Sequence, residues 1–359
     1  MALYDHSFYG HFVPLTFVKG MVIIMKLAGV LLAVAMLLGA NPDAPEVIRD
    51  RMEDSVILSF AGDCTLGAQK GAKSKGNFNW YADNEEPDYF LKNVYDIFST
   101  DDFTIVNCEG VLTDRPLEYY DKGSDGAFYF KGKADNAKIF TAGSVEIASV
   151  INNHTRDYGP AGKSDTIDAL EAEGVRALDA NKPVYVEKDG IRISFLACGI
   201  WYTGQEKDIY KSLDEMNENS DIQVIYSHGG TEGVYEVDSW RKSVYHSLIN
   251  RGVDIIVNSH PHRLQPVEHY KNGLIVYSLG DFCFGGNSFP VNKKTAIYRV
   301  KITRTDDGFE FEDEIIPCWL HSGTTSANNF QPTPVDPVEY ADTYEKMIAY
   351  MRGERKTID

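Results

Sequence analysis

Apolar, β-branched runs that each stop at a polar side chain recur along the chain. Residues 57–62 run into Asp63, 103–106 into Asn107-Cys108-Glu109, and 147–151 into Asn152-Asn153-His154. Residues 224–226 run into Ser227-His228, and 253–257 into Asn258-Ser259-His260-Pro261-His262. Runs of this length predict strands buried on both faces, whose last residues open onto a crevice at the sheet edge. Between them, apolar residues recur at helical spacing over 87–98, 160–173 and 240–250, and residues 192–197 read as a further strand. Residues 296–303 and 309–316 alternate apolar and polar side chains, as a two-stranded antiparallel unit does, with Asp306-Asp307-Gly308 as its turn. The order of elements predicts an α/β fold.

Toward the carboxyl end, 331–337 carries three prolines and reads as a linker to a last helix, 338–351. Tyr340, Tyr344, Met347 and Ile348 share one face of that helix, which predicts docking on the domain. Residues 114–133 form a polar, aromatic-rich insertion with Tyr119, Tyr120, Phe128, Tyr129 and Phe130 beside Lys122, Lys131 and Lys133. Two readings apply to it: a loop that covers a site and holds an anionic polymer, or an alternating strand that packs Phe128 and Phe130 inward.

Composition narrows the partners. A chain of 359 residues with 43% hydrophobic content can bury a sizeable core in one large domain or two. A net charge of −18 excludes nucleic acid as a partner, because a phosphate backbone would be repelled. Residues 27–38 are an apolar run of the length of a signal-peptide core, shorter than the ~20 residues of a membrane span. Residues 1–40 are therefore expected to be a signal peptide or an N-terminal membrane anchor, with membrane association through 21–40 and an extracytoplasmic location. Either Met21 or Met25 could be the start of the translated chain. Five cysteines cannot all pair internally, and no disulfide is expected.

The strand-end residues supply the chemistry. One Asp or Glu after a strand is ordinarily a cap or turn residue, and one His-x-His ordinarily a surface loop. Carboxylate, amide and imidazole donors at the ends of five strands together point to a divalent metal centre, for which neutral imidazole suits Zn, Fe, Mn or Ni.

The segments that carry these residues resemble the bacterial CapA proteins of poly-γ-glutamate capsule synthesis, within the calcineurin-like metallophosphoesterase superfamily. They are Phe60-Ala61-Gly62-Asp63, the stretch Asn107 to Thr113, the stretch Asn152 to Gly159, the stretch His260 to Glu268, and Tyr277-Ser278-Leu279-Gly280-Asp281-Phe282. The resemblance implies a four-layer α/β/β/α sandwich of the metallophosphoesterase type over 51–330, with its site at strand ends from both sheets. It implies one or two divalent ions (Mn, Fe or Zn). Asp63 and His262 would bind the first, Asn153, His228 and His260 the second, and Glu109 would stand in for the bridging carboxylate. His154 matches the superfamily's general acid, which protonates a leaving alkoxide. Arg156, Asp157, Arg263 and Asp281 lie in the same segments and would contact substrate or support the ligands. Taken alone, Asp281 reads as a turn residue after Gly280. The first motif reads Asp63-Cys64-Thr65 where the superfamily has Asp-x-His, so the first ion would lack a histidine.

Two functions follow from the resemblance. One is an extracytoplasmic phosphoesterase or related hydrolase acting on an envelope polymer or phosphoester. The other is a non-catalytic component of a capsule synthesis and export complex, partnered with membrane subunits, that uses the metal site for structure or ligand binding.

Overall fold

The computed structural model describes residues 54–358 apart from Ser74 and Asp125. The segment expected to be a signal peptide or anchor lies outside the described residues. The chain runs β1 (Ser55–Thr65), β2 (Ala68–Gln69), α1 (Phe78–Asn84), α2 (Tyr95–Phe98), β3 (Phe103–Cys108), β4 (Val111–Leu112), β5 (Phe130–Gly132), α3 (Lys138–Ala142) and β6 (Ile147–Ser149). It continues with α4 (Gly159–Ala172), β7 (Arg176–Leu178), β8 (Val184–Lys188), β9 (Ile191–Gly199), α5 (Tyr210–Asn219), β10 (Ile222–His228), α6 (Ser239–Ile249) and β11 (Ile255–Ser259). Last come β12 (Leu264–Tyr270), β13 (Gly273–Leu279), β14 (Asp281–Phe284), β15 (Lys294–Thr305), β16 (Gly308–Trp319), β17 (Thr333–Pro334) and α7 (Ala341–Met351).

Two mixed sheets stack face to face. The first has the order β17-β16-β15-β1-β3-β6-β7, with β14 also paired to β1, and the second β12-β13-β11-β10-β9-β8. Strand β10 shows why its sequence is apolar without alternation. Val224 and Tyr226 point into the core between the sheets, while Ile225 joins the outer cluster with Leu213 and Met216 of α5 and Val244 and Leu248 of α6. On the far side, Ala61 and Val106 turn outward to meet Phe78, Phe140 and Leu170 from α1, α3 and α4. Helices therefore cover both outer faces, and the fold is a four-layer α/β/β/α sandwich. A third, small sheet, β2-β5-β4, sits at the strand ends.

The predicted hairpin forms as β15 and β16, paired from Lys294↔Trp319 to Thr305↔Gly308 around the turn at 306–307. The helix expected over 87–98 is broken. It becomes a 3-10 turn, Pro87–Tyr89, and the short α2. The carbonyl of Tyr89, which would accept the Asn93 amide in a continuous helix, accepts instead from Gln331 Nε2 at 2.8 Å. The Asn93 side chain in turn donates to Thr333 Oγ1 at 2.9 Å. The same contacts show that 331–337, expected as a linker, is pinned: β17 pairs with β16, and Val335 is buried. The last helix begins at Ala341 and docks by Met347, Tyr350 and Met351, which join the core between the sheets, whereas Tyr340 remains 43% exposed. All five cysteines are buried and unpaired.

Candidate metal centre

Parallel register carries the polar strand ends to one edge. Asp63 pairs with Asn107, Asn107 with Ser149, and His228 with both Gly199 and Ser259. The loop after β13 comes close enough that a Cβ on Gly62 would lie 1.9 Å from the Gly280 carbonyl oxygen. Only glycine permits that approach, which sets Asp281 beside Asp63 in β14. The turn reading of Asp281 is thereby corrected: it opens a strand, and its Oδ1 lies 2.7 Å from His262 Nδ1.

Asp63, Glu109 and His262 form one group whose donor atoms all lie within 4.8 Å of one another. His262 Nδ1 is 3.4 Å from Asp63 Oδ2. His228 bridges to the amide side: its Nε2 is 2.9 Å from Asn153 Oδ1 and 4.0 Å from Glu109 Oε1. The rings of His228 and His260 are 4.9 Å apart. The six residues expected as ligands thus converge on one region.

Electrostatics in this region follow from burial. Both oxygens of the Glu109 carboxylate are sealed from water and have no hydrogen-bond partner. Burial, with Asp63 nearby, pushes the Glu109 carboxyl well above its ordinary range. Burial also raises Asp63, to about 6, against the lowering influence of His262. Burial pushes His228 well down and His260 down to about 3, with neighbouring imidazoles adding to both effects. At His262 burial acts downward too, but Asp281, Glu109 and Asp63 outweigh it and raise the imidazole well above its usual value. A Glu109 carboxyl pushed toward its protonated form beside His228 and His260 held neutral describes a place that suits a cation, which would favour carboxylate and neutral imidazole together and replace the charge now carried by His262.

The backbone here is strained. His260 has φ 103° and His262 φ 52°, the left-handed region that non-glycine residues seldom adopt. His260 is buried, and its Nδ1 has no partner.

His154 stands on the other flank. Its Nδ1 lies 2.8 Å from Asp157 Oδ2, and its Nε2 faces Glu109 Oε1 at 3.8 Å. Asp157 is fully buried, accepts the Phe130 N–H at 2.7 Å and pairs with Lys122 Nζ at 2.6 Å. Burial lowers the His154 pKa, with Asp157 opposing. Phe130 of β5 lies against the His154 ring at 4.3 Å between centroids, while Phe128 is 57% exposed. Of the strand that would pack Phe128 and Phe130 inward, only Phe130 is buried, and Lys122 of the same insertion reaches Asp157 beside the centre.

The remaining expected residues lie further out. Arg263 donates to the His262 carbonyl at 2.7 Å and stacks over Tyr235, which braces the strained turn. Arg156 is exposed and makes no hydrogen bond or ion pair with the centre. Sequence reasoning missed Asn107, whose amide donates to Asp63 Oδ1 at 2.7 Å and approaches His228 Nδ1 at 3.3 Å. A signal was present, since Asn107 and Glu109 have the same parity along β3. Trp201 (ring 4.9 Å from His260) and Glu232 arrive from loops, where no local pattern marks them, whereas Lys122 belongs to the insertion singled out in the sequence.

The family model described as "Bacterial capsule synthesis protein PGA_cap" matches residues 57–286. The chain is 26% identical over 288 residues to the capsule biosynthesis protein CapA of Bacillus anthracis, covering 73% of this chain and 67% of that protein. It is 24% identical over 314 residues to the PGA biosynthesis protein CapA of Bacillus subtilis, covering 81% and 78%. Among solved structures, a hypothetical protein from Thermus thermophilus aligns with TM-score 0.45 at 12% identity, over 73% of this chain and 99% of that one. A 5'-nucleotidase from Candida albicans aligns with TM-score 0.41 at 12% identity, over 83% and 58%.

Proposed function

The chain belongs to the family of bacterial capsule synthesis proteins whose model spans residues 57–286, and from that membership we propose that it is an extracytoplasmic, metal-dependent hydrolase. Its substrate would be a phosphoester or related bond in capsule or envelope polymer synthesis, with poly-γ-glutamate as the polymer its relatives suggest. The observation that carries the reading is Glu109: a carboxylate sealed from water with neither oxygen hydrogen-bonded. Leaving such a group without a partner costs several kcal/mol, on the order of the penalty for an uncompensated buried charge. A divalent cation satisfies it, and Asp63, Asn153, His228, His260 and His262 are the residues that would hold one or two such ions with it. When bound, the ion supplies a Lewis acid that polarises the scissile group. The apolar run at 27–38 supports export.

The rest of the chemistry falls to the chain itself. Asp157 accepts the Nδ1 proton of His154, which leaves Nε2, on the Glu109 side, as the atom that takes and returns a proton. Lys122 fixes Asp157 from the insertion, and Phe130 keeps water off the ring face. The Asn153 contact requires Nε2 of His228 to carry its proton, since Asn107 Nδ2 can only donate to Nδ1. Holding a cation through Nε2 would therefore require the other tautomer of His228, with its proton on Nδ1, and the proton released on occupation would come from the raised Glu109 carboxyl.

One observation favours the non-catalytic reading, a component of a capsule synthase complex with membrane subunits. Position 65 holds a buried threonine whose Oγ1 lacks a partner, where the superfamily pattern has a histidine ligand. Metal analysis of the purified protein with Mn, Fe and Zn, joined to a panel of phosphomonoesters and phosphodiesters, tests both. Replacing His154 by Asn should leave metal content unchanged and slow hydrolysis by ~10²- to 10⁴-fold. Metal uptake with no turnover of any ester in the panel would leave the non-catalytic reading standing.

A further inference from the structure

Resting on the reading that divalent ions occupy this centre, we infer that Glu232 is an additional metal ligand, reaching the imidazole side from solvent. Glu232 lies four residues after His228, on a loop anchored on both sides of it. Thr231 is bound through its N–H and its hydroxyl to the Asp238 carboxylate, at 3.2 Å and 2.8 Å. Gly233 donates its N–H to the Pro261 carbonyl at 2.9 Å, in the middle of the His260-Pro261-His262 turn. The loop is thus fastened to the strained turn whose imidazoles face the centre.

The side chain follows. Glu232 Oε1 lies 3.7 Å from His260 Nε2, and donor atoms of Glu232, His260 and His262 all lie within 4.8 Å of one another. His260 is 6% exposed and its Nδ1 has no partner, whereas the Glu232 carboxylate is 58% exposed. An exposed carboxylate gains little from an ordinary surface pairing, typically under about 1 kcal/mol. That gain does not account for a buried imidazole held at φ 103° to meet it. One carboxylate oxygen and two imidazoles do make a donor set suited to Mn, Fe or Zn. The Asp63, Glu109 and His262 group and the Glu232, His260 and His262 group share His262, so Glu232 closes the open, solvent side of the same centre.

The test compares full-length wild type, Glu232→Gln and His260→Ala, each stripped with chelator and dialysed against Mn²⁺. Stoichiometry is read by elemental analysis and affinity by titration calorimetry. The inference expects Glu232→Gln to lose one equivalent or to bind at least tenfold more weakly, with an unchanged melting temperature in the metal-free state. If Glu232→Gln binds as wild type does while His260→Ala loses metal, Glu232 is no ligand and the centre itself stands. If wild type takes up no Mn²⁺, Fe²⁺ or Zn²⁺, the metal reading and this inference fall together. Should Glu232→Gln melt early without metal, Glu232→Ala repeats the comparison with no polar side chain at that position.

Discussion

Asp157 and Glu109 are both fully enclosed carboxylates in the same centre, on either side of His154, yet their surroundings differ completely. Asp157 is met by the Phe130 N–H, the His154 ring and the Lys122 ammonium. Glu109 is met by nothing within hydrogen-bond reach, only by imidazole nitrogens at 3.8 Å and 4.0 Å. A protein interior does not leave a charge-bearing group open without reason, because the desolvation cost is large whether the group ionises or keeps its proton. The contrast separates a carboxylate that completes the fold from one that waits for a ligand. Asp157 ties the insertion to the general-acid candidate, while Glu109 spends stability that only a cation returns.

The largest effect expected from this contrast is on folding. Asp157→Ala removes the partner of a buried amide, of an imidazole and of a lysine at once, and breaking a buried pair of this kind costs about 3 to 5 kcal/mol. Urea unfolding of metal-free protein should show the midpoint falling with little change in slope. A variant as stable as wild type would show that Asp157 is not the structural member of the pair.

Glu109→Gln should act on a different quantity. Wild type at a metal concentration of 100 Kd should gain about 2.7 kcal/mol over its metal-free form, by mass action alone. The variant should show no such gain, and its metal-free stability should stay near that of wild type, since Glu109 makes no hydrogen bond to lose. A metal-dependent rise in melting temperature that survives Glu109→Gln would put the ions elsewhere.

The difference between these carboxylates was only half legible in the sequence. Apolar runs ending in Asp63, Glu109, His154, His228 and His260 located the strand ends, because burial on both faces of a parallel strand imposes a continuous pattern. That pattern implied only an α/β fold, and the two-sheet core followed from the family resemblance. The apolar pattern does not distinguish Asp157 from Glu109: beyond His154, three residues earlier, Asp157 draws its partners from Lys122 and Phe130, while Glu109 has none. Asp281 misled for a related reason: after Gly280 it has a turn residue's neighbours, and only the close approach at Gly62 makes it a strand residue. The 87–98 helix breaks just after Tyr89, whose carbonyl accepts from Gln331, more than two hundred residues away. Periodicity reports which face is buried and is silent about distant competitors for a backbone hydrogen bond.

Asp254 gives the smallest effect and a reference point away from the centre. It is half-buried just before β11 and accepts the Gln223 N–H at 2.8 Å, so it is a partly enclosed carboxylate with that backbone partner and no cluster of imidazoles. Burial raises its pKa from 3.8 to about 6, against the Gln223 hydrogen bond. Between those two values the folded state keeps a proton that the unfolded state has released. The folded state therefore binds more protons, and stability falls as pH rises through that window, then levels off above it. Asp254→Asn removes this loss and can still accept from Gln223. Relative to wild type, it should gain about 1 to 2 kcal/mol on moving from pH 4 to pH 7, an amount reduced from the full shift for residual solvation. Chemical denaturation at the two pH values in the presence of chelator measures it. An equal difference at both would mean that burial alone does not raise a carboxyl in this protein, and the raised Glu109 carboxyl could then no longer be traced to its missing partners.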